Sequence, residues 1–199
     1  NWPVNSSRKF YSGHFDWSPL QSSNAEMADA KVVSWAAQQL AKRHDQPVFL
    51  SVGIYRPHVP WYVPQKYFDR FPLDEIQLPR HLPDDLDDLP AAGQAMAKRH
   101  WHKWITENGQ WNKAVQGYLA SLSFADDMVG ELLDALDNGP MAGDMLIVFW
   151  GDHGYHLGEK ENWEKFALWE DTTHVPLIII DPRRTKPGTR CESPVSLLD

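Results

Sequence analysis

Met145-Leu146-Ile147-Val148-Phe149-Trp150-Gly151-Asp152-His153-Gly154 is an apolar run that stops abruptly at a polar pair held between glycines. A short run of this kind, rich in β-branched and aromatic residues, reads as a central strand covered on both faces by helices. Ligands of such sheets gather beyond the carboxyl ends of the strands, which is where Asp152 and His153 fall. An aspartate beside a histidine suits a metal ion, and flanking glycines let the backbone turn closely around it. A bare Asp-His pair equally suits a turn in which Asp152 satisfies local amides. The strand before it and the polar residues after it favour the metal.

Those following residues are Tyr155, His156-Leu157-Gly158-Glu159 and Trp163-Glu164-Lys165. A lysine soon after a metal ligand can return to the same pocket and neutralise a bound oxyanion, although an isolated lysine is ordinarily a surface residue. Tyr155 and His156 stand next to the expected metal site and are candidates to face substrate. Pro176-Leu177-Ile178-Ile179-Ile180 reads as a second central strand, with His174 before it as a packing residue.

Upstream, Ser23-Asn24-Ala25-Glu26 has the form of a capping box, and apolar residues at helical spacing predict an amphipathic helix over 24–43. Val48 to Tyr55 reads as a buried strand, so helix and strand together make half of an α/β unit. Directly after it, Arg56-Pro57-His58-Val59-Pro60-Trp61 places His58 in a stiff, proline-bounded loop at the same sheet edge as Asp152. A histidine there can hold an anion or protonate a leaving group; simple packing in the loop is the other reading. Residues 56–90 are proline-rich and read as loops, with Asp84 to Asp88 as a solvated acidic face rather than a calcium site. His100 and His102 read as surface histidines, and Asp126 and Asp127 as structural residues of a helix face. That helix carries the stripe Val115, Tyr118, Leu119, Leu122, Ala125, Val129, Leu132, Leu133 and Leu136, and Asn138-Gly139-Pro140 stops it.

The expected fold is therefore α/β: a largely parallel central sheet flanked by helices, present here as a partial domain. The chain has 199 residues, 42% of them hydrophobic, enough for a real core. Its formal net charge of -8, without a basic run, argues against a nucleic-acid partner. No apolar stretch is long enough to span a bilayer, and Asn1 to Asn5 is not a signal peptide. Cys191 is the only cysteine, so no internal disulfide forms. Ten tryptophans suit packing for the most part, or the lining of a sugar-binding cleft.

Tyr55-Arg56-Pro57-His58-Val59-Pro60-Trp61, Tyr118 to Ser123 with Asp127 to Gly130, Gly151 to Glu159, Trp163-Glu164-Lys165 and Thr173 to Leu177 stand in one order. Together they resemble type I sulfatases of the alkaline phosphatase superfamily, in particular the group around iduronate-2-sulfatase, over roughly 15–199. The resemblance implies an alkaline phosphatase-like fold and hydrolysis of a sulfate ester, of a small molecule or a sugar. It implies that Asp152 and His153 bind one calcium ion and that His58 and Lys165 contact the sulfate. Donor chemistry alone would point to zinc or manganese, so calcium comes from the resemblance. The family's nucleophile is a formylglycine made within a Cys/Ser-x-Pro/Ala-x-Arg motif. Cys191-Glu192-Ser193-Pro194-Val195 does not match it, and no serine supplies it. The motif, two further metal-binding aspartates and a lysine–histidine pair are thus expected upstream of Asn1. The chain reads as a catalytic domain cut at both ends, inactive alone and prone to aggregate. Export to periplasm or medium is the family expectation. A phosphodiesterase or phosphonate monoester hydrolase of the same superfamily, and a non-catalytic glycan-binding relative, are the alternatives.

Overall fold

The computed structural model describes residues 15–97 and 99–198; Asn1 to Asn5 and Asp199 lie outside them. Strand β1 (Trp17–Leu20) leads through a 3-10 turn at Asn24–Glu26 into helix α1 (Ala28–Leu40). The predicted helix over 24–43 is thus interrupted, because Met27 adopts extended backbone (φ -72°, ψ 143°). The capping box closes the short turn instead, with Ser23 N–H donating to Glu26 Oε2 at 2.8 Å.

Strand β2 (Trp61–Pro64) runs straight into α2 (Gln65–Phe68) and pairs in parallel with β1, Trp17 opposite Trp61. Three further helices follow: α3 (Ala91–Met96), α4 (Arg99–Glu107) and the long α5 (Trp111–Asp137), whose cap is Asn138 as the stop signal predicts. Strand β3 (Ile147–Trp150) precedes β4 (His156–Leu157), β5 (Trp163–Glu164), α6 (Glu170–Thr173) and β6 (Leu177–Ile180). Among the described residues β4 pairs with β5 and β3 with β6, both antiparallel, so only the β1–β2 pair has the expected parallel sense.

Two expectations need correction. Residues 48–55 form no strand, and Phe49 is 94% exposed. A strand exists through its ladder, and among the described residues no partner lies alongside. Strands β3 and β6 are where the sequence puts them, but Val148, Phe149, Trp150 and Leu177 to Ile180 are exposed rather than covered.

The core sits on the other side. Met27, Ala30, Val33, Val63, Tyr67, Phe68, Ala120, Phe124 and Met128 pack α1, β2 and α2 against α5. A second, aromatic cluster joins Phe15, Trp17, Trp61, Trp101, Trp104 and Trp163, and Tyr118, Tyr155 and Leu157 pack onto it. Six tryptophans, Trp111 included, therefore serve packing, with rings meeting edge-on or tilted at centroid distances such as 5.7 Å for Phe15 and Trp61. This aromatic cluster sits directly beneath the loops that carry the candidate site.

Candidate functional site

The site forms where β3 ends. Gly151 N–H still donates to Pro176 O at 3.0 Å, and the chain then leaves the sheet. Gly154 N–H and Tyr155 N–H donate to the carbonyls of Thr172 and Asp171, both at 2.8 Å, so 151–155 is strapped to α6. A Cβ on Gly154 would overlap the Asp171 carbonyl oxygen, which is why only glycine lets the two backbones approach this closely.

Within this turn the Asp152 carboxylate is 82% exposed and accepts from its neighbour's N–H at 3.1 Å. His153 is held at both nitrogens. Its Nδ1 lies 2.7 Å from Gly154 O, which can only accept, so the ring proton is on Nδ1. Nε2 then offers a lone pair, to which the Lys165 ammonium donates at 2.8 Å, with Asp152 Oδ2 3.5 Å away. Asp152, His153 and Lys165 are thus brought together.

Lys165 reaches His153 because the chain between them folds into a tight turn. Gly158 has φ +123° and lies under the Trp111 ring, and Lys160, Glu161 and Glu164 all have positive φ, uncommon for residues with a side chain. Asp85 holds the turn from outside, accepting from Lys160 Nζ at 2.7 Å and from Lys160 N at 3.3 Å. Trp111 Nε1–H adds a bond to Leu157 O at 2.7 Å. Asp85 is therefore no member of a purely solvated acidic face, because its side chain is only 14% exposed. Burial pushes its carboxyl up, but the Lys160 hydrogen bond and charge outweigh that and hold it below the ordinary range.

His58 precedes Val59 and Trp61, which belong to the same aromatic cluster as Trp163. Its loop is pinned by the buried Asp29 of α1, whose two carboxylate oxygens accept from Tyr55 N and Arg56 N at 3.1 Å each. Arg56 spans the loop, reaching His58 O and Tyr62 O. Burial lowers the Arg56 pKa, and the Asp29 charge opposes that shift. Trp61 meets Tyr155 edge-on at 5.6 Å and so links the His58 loop to the Asp152 loop.

Tyr155 and His156 do not present their polar atoms to the surface. The Tyr155 hydroxyl is buried and its pKa is raised well, first by desolvation. Its ring stacks on Tyr118 at 5.6 Å. His156 is 0% exposed, with Nδ1 3.8 Å from Glu159 Oε2 and 3.9 Å from Asp171 Oδ2. The strand alternation of β4 turns the imidazole inward, a fact that adjacency in sequence does not carry. His102 is likewise buried rather than superficial, ring to ring with Trp111 and beside Trp163, and burial lowers its pKa. Asp127 has its predicted structural role, pairing with Arg70 at 3.0 Å and Tyr67 at 2.9 Å. His174 is exposed and pairs with Glu170 rather than packing. Asp29 and Asp171 escaped the sequence reading, and Arg56 and Glu159 stand in it only within motifs, without a role, since each acts on backbone or on a residue distant in the chain.

A profile of the sulfatase family matches residues 4–199. The chain belongs to the sulfatase family. This sulfatase-family chain is 43% identical over 186 residues to a sulfatase of Formosa agariphila, covering 92% of itself and 36% of that protein. It is 34% identical over 174 residues to human iduronate 2-sulfatase, covering 80% of itself and 31% of the relative. It therefore spans about a third of the length of these curated relatives. Among solved structures, the phosphonate monoester hydrolase of Silicibacter pomeroyi superposes with a TM-score of 0.70 at 22% identity, covering 86% of this chain and 36% of that one. The putative sulfatase yidJ of Bacteroides fragilis gives 0.59 at 23%, covering 84% and 33%. The fold is thus alkaline phosphatase-like and mixed α/β, as the sequence predicts.

The family implies a metal ion. Asp152, an exposed carboxylate, suits a hard divalent cation, and 3.5 Å away His153 Nε2 carries a lone pair that Lys165 occupies here. Among the described residues no group of three His, Cys, Asp or Glu side chains is placed to hold a metal. Asp152 and His153 are two side chains that suit such an ion and do not by themselves make a full ligand set.

Proposed function

We propose that the protein to which this chain belongs hydrolyses sulfate esters, with a sulfated sugar as the substrate class. The observation that carries this reading is the convergence of Lys165, His153 and Asp152 beyond β3 in a sulfatase-family chain. In this reading Lys165 binds the nonbridging sulfate oxygens, and its ammonium offsets the negative charge that builds up on them. His58 hydrogen-bonds the sulfate or hands a proton to the departing alcohol oxygen. Asp152 and His153 are the chain's contribution to a calcium site, which when filled adds positive charge at the sulfate. Tyr155 and His156 support the loop from behind, the first through Trp61 and Tyr118, the second against Glu159 and Asp171. A formylglycine nucleophile belongs to another part of the protein, and export belongs to the same proposal. No described helix is long and apolar enough to cross a membrane.

A second reading, phosphonate or phosphate-diester hydrolysis, draws on the superposition with the phosphonate monoester hydrolase. One experiment decides between them. Peptide-mapping mass spectrometry of the full-length protein locates formylglycine, and turnover is compared on sulfate monoesters and phosphate diesters. Formylglycine with preferential sulfate-ester turnover is the expected result. An unmodified side chain with preferential diester turnover overturns it.

A further inference from the structure

Tyr55 is an exposed aromatic residue whose ring would gain by burial, yet it lies flat against His58 at a centroid distance of 4.8 Å and 29°. Its hydroxyl donates to Val59 O at 3.0 Å and stands 2.9 Å from His58 Nδ1. The same Nδ1 is 2.7 Å from Val59 O. Carbonyl oxygen only accepts, so Nδ1 must carry a proton at that distance. The tyrosine proton is committed to the carbonyl, leaving the phenol oxygen to share the Nδ1 proton. Unconstrained histidine in water prefers the proton on Nε2, so the site holds His58 in its less favoured tautomer. The backbone beneath is rigid, because Asp29 accepts from the amides of both Tyr55 and Arg56. The Arg56 guanidinium, 5.2 Å from the Tyr55 ring centroid, is the other charged group at this pair.

We propose that Tyr55 is a positioning residue for His58, its ring fixing the imidazole plane and its hydroxyl oxygen sharing with Val59 O the proton on Nδ1, so that Nε2 alone meets the substrate. The proposal rests on the sulfatase reading for its consequence, but its geometry is independent of that reading. With Nδ1 committed, a neutral His58 accepts at Nε2 and a protonated one donates there. One atom therefore serves both anion binding and proton transfer, without a ring flip between them.

The test uses the full-length protein with 15N-labelled histidine, the His58 signals being assigned by their loss in His58→Gln. In the wild type the expected spectrum shows the neutral ring protonated on Nδ1. Tyr55→Leu, which removes stacking and hydroxyl, should move that population toward Nε2–H and lower kcat about tenfold with little change in KM. Tyr55→Phe, which keeps the stack, should recover part of the loss. In a His58→Gln background Tyr55→Leu should cost nothing further, since its effect runs through His58. An unchanged tautomer in both Tyr55 variants overturns the proposal, as does an equal loss with and without His58, or a loss confined to KM. A Tyr55→Leu protein that does not fold leaves the decision to Tyr55→Phe, where the Nδ1–H population must fall. Should the wild type hydrolyse no sulfate ester, the sulfatase reading fails while the nitrogen spectra still decide the role of Tyr55.

Discussion

Lys165 shows how much one side chain's partner matters. Its ammonium donates to His153 Nε2, a lone pair that itself exists only because Gly154 O holds the ring proton on Nδ1. A bound sulfate would give that ammonium an anionic acceptor, and charged acceptors make the stronger hydrogen bonds. Lys165→Ala in the full-length protein should lower kcat/KM for a sulfate ester by about a hundredfold or more, as loss of an oxyanion donor does elsewhere. Thermal stability should stay within about 0.5 kcal/mol, because the side chain fills no core space. Unchanged kcat/KM in steady-state assays would remove Lys165 from the reaction. Gly154 is the opposite case. A methyl group there meets the Asp171 carbonyl oxygen, and backbone cannot step aside as a side-chain end can. Gly154→Ala should therefore lose about 1–3 kcal/mol in denaturant unfolding, with the strap to α6 loosened.

The strained turn between β4 and β5 is held by its neighbours rather than by its own preferences. Lys160, Glu161 and Glu164 take left-handed backbone, each at a cost of order 1–3 kcal/mol. The Asp85–Lys160 latch and the Trp111 bond to Leu157 O offset it. The Asp85 carboxyl sits below its ordinary 3.8, so the latch's contribution is complete above that value. It is lost as pH falls through the lower, folded value. Asp85→Asn should therefore cost stability at neutral pH, about 1 kcal/mol for a partly exposed charged hydrogen bond, and little in strong acid. Urea titrations at several pH values measure the difference; an equal loss at all pH values would show that charge is not what the latch uses. The long helix teaches a related point. Its sequence stripe includes Leu122 and Leu133, yet both are exposed, and the packed face runs through Gly117, Ala120, Ser121 and Phe124. The facing Trp17 and Trp61 need small residues opposite them, and Gly117 has room for no side chain there.

At the scale of the whole chain, the apolar strands β3 and β6 lie open, with Ile178 and Ile179 about half exposed. Open strand edges and apolar faces of this kind recruit further chain. Residues 1–199 produced alone should bind a hydrophobic dye and elute as mixed oligomers in size-exclusion chromatography; a monodisperse monomer without dye binding would contradict this. The fold class, the two helices, the strands at 147–150 and 177–180, and the gathering of Asp152, His153 and Lys165 were legible in the sequence. Each rests on local period or on motif order, which the linear chain carries. Only the tertiary structure decided that 48–55 has no ladder partner among the described residues, that β3 pairs antiparallel with β6, and that His156 and His102 turn inward. It also placed Asp29 under the His58 loop and Asp85 on the Lys160 turn, contacts 26 and 75 residues apart. Such pairings depend on which surfaces meet when the chain closes, and no local pattern of hydrophobicity or spacing encodes that.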